Sequence, residues 1–158
     1  MKPVIVVDAS VVFKWFVFES PDEGDTDEAL ELLRAYRDDR IELYQPPTWQ
    51  AEVLAVLARI VPDKADQHTW KLLALDHTEA AGSSVYLKAV QLSIQLNHHL
   101  FDTIYHAAAL THPSATLITA DEKYRIKAES LGRVLSLKRW GEIFSSHGQP
   151  AADSVSFS

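Results

Sequence analysis

Short apolar runs alternate with helical periodicity along almost the whole chain, and this alternation restricts the fold more than any other feature. The run VIVV at 4–7, the alternating segment IELY at 41–44 and the run ATLIT at 115–119 have the length and residue types of strands. A fourth short run, VLSL at 134–137, follows. Between them the period changes to that of helices. Residues 9–18 are mostly apolar and predict a short helix, ended by a turn at Ser20-Pro21. Ala29, Leu30, Leu32, Leu33 and Tyr36 form a stripe up to about residue 40, with Asp25 and Glu28 at capping-box spacing. After Pro46-Pro47, Thr48 is placed to cap a helix carrying Trp49, Val53, Val56, Leu57 and Ile60, which stops before Pro62. Further helices are predicted over 63–75, over 83–96, from Asp102 to about 112 and over 125–130. Strands alternating with helices predict an α/β fold with a mostly parallel sheet covered on both faces.

A chain of 158 residues, 47% hydrophobic and 23% charged, is enough for one domain with a real core. We assign that domain to 1–144 and expect the polar stretch 145–158 to be a loose tail. The chain has no cysteine, which excludes disulfides and thiolate metal sites. The first apolar stretch is broken by Asp8 and Lys14, so it resembles neither a secretion signal nor a membrane span, and a cytoplasmic, membrane-free location is expected. A net charge of -7 opposes polyanion binding over the whole surface, so any nucleic-acid contact must be local or cation-assisted. Lys123, Arg125, Lys127, Arg133, Lys138 and Arg139 supply such a local basic run.

The first strand ends on Asp8, a side chain rarely buried without a partner. In open parallel α/β sheets, functional groups gather beyond the carboxyl ends of the strands. Asp8 stands there, Glu52 lies in the first turns of the helix after the second strand, Asp102 opens a helix, and Asp121 follows the strand TLIT. Any one of them could be a cap or a macrodipole partner. Brought together, they would repel and raise one another's pKa values unless a cation lay between them. Oxygen ligands without cysteine suit Mg²⁺ or Mn²⁺.

The segments VIVVDASVVFKWF, PPTWQAEVLAVLAR, LFDTIYHAAAL and TLITADEKY, in that order and spacing, resemble a PIN-domain ribonuclease of the VapC toxin type, over residues 2 to about 144. The resemblance implies a three-layer α/β/α sandwich and an acidic Mg²⁺ or Mn²⁺ site at Asp8, Glu52, Asp102 and Asp121, with Ser10 and Thr119 as supporting hydroxyls. It also implies RNA as substrate, a homodimer, and neutralisation by a small antitoxin protein. Thr103 departs from the Ala more usual after the third acid. The chemistry implied is metal-dependent hydrolysis of RNA phosphodiester bonds as the toxin of a toxin-antitoxin pair, with Lys123, Arg125 and Lys127 positioning the RNA backbone.

The same residues bear on competing readings. A receiver domain would want adjacent acids after the first strand, and a haloacid-dehalogenase-type phosphatase a second Asp where Ser10 stands. A catalytically inactive PIN-fold module that binds RNA or protein stays open. Asp102 and His106, spaced i, i+4 with His98 and His99 nearby, offer a zinc pair short of a full ligand set. Trp49 and Trp70 lie on helical stripes and are expected in the core. On the first helix, Val11, Trp15 and Phe18 form one stripe and Val12 and Phe16 another, so one of the two is expected to face a partner, the antitoxin, beside the acids.

Overall fold

β1 (Val4–Val7) is the centre of the sheet, and its composition explains why: Ile5, Val6 and Val7 are fully buried, as a strand covered on both faces requires. The computed structural model describes residues 1–17 and 25–145. Phe18, the turn expected at Ser20-Pro21 and the tail beyond Ser145 lie outside them. Among the described residues the sheet has five strands, all parallel, in the order β3-β2-β1-β4-β5, with β2 (Glu42–Gln45), β3 (Thr78–Glu79), β4 (Thr116–Thr119) and β5 (Val134–Ser136).

From β1 the chain steps outward to β2 and β3, then returns across β1 to β4 and β5. Right-handed crossovers therefore place the helices of the first half on one face and those of the second half on the other. The first layer holds α1 (Ala9–Phe16), α2 (Thr26–Arg37), α3 (Trp49–Ile60) and α4 (Ala65–Leu73), with α1 packed on α2 and α3. The second holds α5 (Ser83–Leu96), α6 (Leu100–Thr111) and α7 (Glu122–Ala128), with α6 lying on β1, β2 and β4 and against α5. The result is a three-layer α/β/α sandwich, as the alternation of strand and helix signals requires. A short α8 (Glu142–Ser145) follows β5. No helix among the described residues is long and apolar enough to cross a membrane.

Several local expectations need correction. Asp25 and Thr48 do precede α2 and α3, but both sit in the left-handed region, at φ 63° and 69°, and neither side chain makes a capping hydrogen bond. The helix expected over 63–75 is divided into a 3-10 turn, Pro62–Lys64, and α4. α6 begins at Leu100, so Asp102 lies within its first turn instead of opening it. β3 has two exposed residues, too few for any periodicity to register. Trp49 is 3% exposed and belongs to the core, whereas Trp70 is 75% exposed and does not. Among the described residues of α1 the expected free stripe is not seen: the helix packs on α2 and α3, Val11, Val12 and Trp15 are buried, and of the four described stripe residues only Phe16 stays partly open.

Gln45, fully buried at the end of β2, holds the end of β1 in place. Its Nε2 donates to the Val7 carbonyl and its Oε1 accepts from the Val7 amide, both at 2.9 Å, so one side-chain amide stands in for a neighbouring strand. The next residue is Asp8. Gln45→Leu would leave both Val7 groups buried and unpaired, at a cost of about 1–3 kcal/mol for each group. We therefore expect Gln45→Leu to lower the urea midpoint markedly at an unchanged slope; a midpoint equal to that of the native protein would show that the pair contributes little.

Candidate metal centre

The chain leaves β1 and β4 in opposite directions, which makes the gap beyond their carboxyl ends the switch point of the sheet. Asp8 follows β1 directly and is the N-cap residue of α1. Asp121 lies just past β4 and caps α7, its Oδ1 accepting from the Tyr124 amide at 3.1 Å. Glu52 is in the first turn of α3 and Asp102 in the first turn of α6, so each layer contributes to the same edge of the sheet.

Hydroxyl groups hold Asp8. Ser10 Oγ donates to one of its carboxylate oxygens and Thr119 Oγ1 to the other. Ser10 Oγ also accepts the Ala120 amide across the gap at 3.2 Å, and Thr119 Oγ1 accepts the amide of Asp121, two residues further along, at 3.0 Å. The clamp thus ties the end of β1 to the end of β4. Burial pushes the Asp8 carboxyl up to about 6 against the opposing pull of the two hydroxyls, and the charge of Asp121 adds to the rise.

Glu52 is raised as well, chiefly by burial; the hydrogen bond from Tyr105 OH at 2.7 Å opposes this, and the charges of Asp102 and Asp8 reinforce it. The same surroundings push the Tyr105 phenol far above its ordinary range, by burial first and then by Glu52, so it remains a donor. Asp102 Oδ2 lies 3.0 Å from His98 Nε2. Ligand atoms of His98, Asp102 and Asp121 lie within 4.8 Å of one another. The four acids named from sequence therefore act on one another's charge, and His98 joins two of them.

Gln45 and Tyr105 carry no sequence signal of this placement, whereas His98 stands four residues before Asp102, at the same helical spacing as His106 after it. The i, i+4 spacing drew attention to His106, and that zinc pairing fails. His106 is fully buried, with Nδ1 at 2.9 Å from Tyr124 OH and Nε2 at 2.8 Å from the Gly132 carbonyl, so both nitrogens are engaged away from the acids. The carbonyl can only accept, which places the proton on Nε2 and makes Tyr124 the donor to Nδ1. Gly132 reaches this position at φ 74°, a conformation that suits glycine. The triad locks α6 to α7 and so fixes the spacing between Asp102 and Asp121. Thr103 fits its buried place because its hydroxyl donates to the Ala89 carbonyl of α5 at 2.9 Å.

The residues of the expected basic run differ in their partners. Arg125 is paired with Glu122 at 2.8 Å and Glu129 at 3.6 Å, whereas Lys123 and Lys127 face the turn between α5 and α6.

His98, Asp102 and Asp121 bring hard oxygens and one nitrogen together, a donor set that fits a divalent cation such as Mg²⁺ or Mn²⁺, and Asp8 and Glu52 lie near enough for the charges of these acids to act on them. In the metal-free protein the raised carboxyl of Asp8 costs stability. A carboxyl whose folded pKa is near 6 and whose unfolded pKa is near 4 destabilises the fold fully above pH 6, and the penalty fades as pH falls toward 4. With chelator present, Asp8→Asn should therefore be more stable than the native protein at pH 7.5, by on the order of 2–3 kcal/mol, with the gain vanishing near pH 4. Denaturant titrations at a series of pH values check this, and a gain that is constant with pH would contradict the assigned environment.

No curated protein matches the chain. The family comparison does match: residues 5–129 fit the PIN domain, a span that includes all four acids, both hydroxyls and His98. Domains of this type are generally nucleases and usually bind divalent metals. By that match over most of its length, with the acids at the switch point of a parallel sheet, the chain belongs to the PIN domain family.

Proposed function

We propose that the protein is a Mg²⁺- or Mn²⁺-dependent endoribonuclease that hydrolyses phosphodiester bonds, the toxin of a toxin-antitoxin pair. The observation that carries the nuclease reading is the Asp8 clamp, in which Ser10 and Thr119 hold a partly buried carboxylate at the junction of β1 and β4 with Glu52, Asp102 and Asp121 near it. Asp8, Asp102 and Asp121 would hold the cation, with Glu52 beside it. Bound there, the cation supplies charge neutralisation at phosphorus and a more acidic water. Hydrolysis adds the water oxygen to phosphorus, breaks the bond to the leaving oxygen and transfers a proton to that oxygen. Tyr105 occupies one oxygen of Glu52, and the raised carboxyl leaves the other suited to holding a proton from the attacking water. Asp8 cannot turn away from the reacting phosphate, because the hydroxyl clamp fixes both its oxygens.

The toxin role and the antitoxin rest on the sequence resemblance. A groove lined by Trp15, Phe16, Leu30, Leu33 and His68, with Arg34 at its edge, supports a site for such a partner between α1, α2 and α4. The homodimer is supported by an exposed apolar stripe on α5, formed by Tyr86, Leu87, Val90 and Ile94. Replacing Ile94 with Lys should convert a dimer to monomer on a sizing column, and a native protein that elutes as a monomer would remove this part of the proposal.

The direct test is cleavage of structured and single-stranded RNA by the purified protein with Mg²⁺, Mn²⁺ or chelator. We expect cleavage that needs metal, falls at least 100-fold in Asp8→Asn, a loss on the order of 3 kcal/mol in the barrier, and is suppressed by the co-expressed product of an adjacent open reading frame. Undiminished cleavage by a folded Asp8→Asn protein would sink the site assignment, and binding of RNA without any cleavage would favour the inactive binding module.

A further inference from the structure

Most of the basic residues between 123 and 139 are neutralised or occupied. Arg125 pairs with Glu122 and Glu129, Lys138 lies 3.8 Å from Asp25, and Arg139 lies 2.8 Å from Glu142. Arg133 donates to the carbonyls of Ala109, His112 and Pro113, at and just beyond the end of α6. Lys123 and Lys127 differ. They lie one turn apart on α7, and neither has a carboxylate partner among the described residues. The partners of Lys127 Nζ are neutral: the Asn97 carbonyl at 3.2 Å and His98 Nδ1 at 3.3 Å. Both lysines line a cleft of about 500 Å³ whose other walls are Ser93, Asn97, His98 and His99, with Leu100, and no acid among the described residues borders it.

His98 connects this cleft to the metal centre. An ammonium can only donate, so Nδ1 accepts from Lys127, and the ring proton sits on Nε2, pointing at Asp102 Oδ2 3.0 Å away. The hydrogen-bond chain therefore runs from Lys127 through one imidazole ring to a metal-centre carboxylate. The wall is also fixed. Ser93 Oγ donates to the His98 carbonyl at 2.6 Å, and the His98 amide donates to the Ser93 carbonyl at 3.1 Å.

We propose that this cleft is a phosphate subsite, which takes the RNA phosphodiester neighbouring the one held at the acids, with Lys123 and Lys127 supplying the charge. The proposal rests on the nuclease reading above. In a chain with a net charge of -7, four carboxylates at the cutting site repel an incoming strand, and a pair of uncompensated cations one side chain away offsets that repulsion locally. The subsite fixes the position of the strand without reading a base.

The test uses the native protein with chelator, so that binding is separated from cleavage, and measures binding of a fluorescent single-stranded RNA across a salt series. For the Lys123→Gln, Lys127→Gln double variant we expect several-fold weaker binding and a log-log salt slope shallower by about 0.7 for each phosphate that is no longer neutralised, whereas Arg125→Gln matches the native protein. A single methylphosphonate linkage placed along the RNA should weaken native binding at one position and have no added effect in the double variant. Thermal unfolding confirms that the variants are folded. An unchanged slope in the double variant, or an equal loss in Arg125→Gln, overturns the subsite. Metal-dependent cleavage with an unchanged slope would leave the nuclease reading standing and remove the subsite alone. The expected slope change in a protein that cuts no RNA would keep the cleft as an RNA phosphate site and remove the nuclease reading.

Discussion

Everything at the working edge of this molecule depends on holding a partly buried carboxylate, Asp8, among three others of the same charge. Such a group is unfavourable by itself, and the surrounding structure is arranged to keep it in place. Ser10 and Thr119 bind both of its oxygens, and Gln45 completes the strand that ends on it. The hydroxyls take amides from Ala120 and Asp121, so the position of Asp8 and the path of the chain after β4 are set by the same hydrogen bonds. Electrostatic strain kept in a rigid frame is what a site needs if a cation is to relieve it on binding.

Around the other acids the supports include two phenols that keep their protons. Tyr105 stays a phenol because burial and the nearby charges oppose its ionisation, so it can donate to Glu52 without adding charge. Tyr124 is raised in the same way, first by burial and then by Asp102, and donates to His106 deep in the second layer. His106 in turn is lowered by burial, which suits a neutral ring between a phenol and a carbonyl. Neutral donors and a neutral imidazole thus build the supports, and the net charge of the site is left to the carboxylates.

How much of this could be read from the residues varied with the length of the signal. The central strand, the α5 boundaries at 83–96 and the placing of all four acids at strand ends or helix starts follow from runs of several residues. What escaped was set by single hydrogen bonds between distant parts of the chain. Gln45 and Val7 are far apart in sequence, as are Tyr105 and Glu52, and no local pattern announces either pair. The i, i+4 rule pointed from Asp102 forward to His106, whereas the residue that meets it is His98, one turn back. Trp70 shows the limit of periodicity: its stripe is helical, but no described residue covers that side of α4.

The central claim is that these residues form a cation site that depends on Asp8. Electron paramagnetic resonance of Mn²⁺ measures it directly, because the signal of the free ion falls as the ion binds. Titrating native protein should remove the free signal in a saturable way, with Mg²⁺ competing, and Asp8→Asn protein of equal foldedness should leave most of it. Equal Mn²⁺ binding by the two proteins would contradict the account.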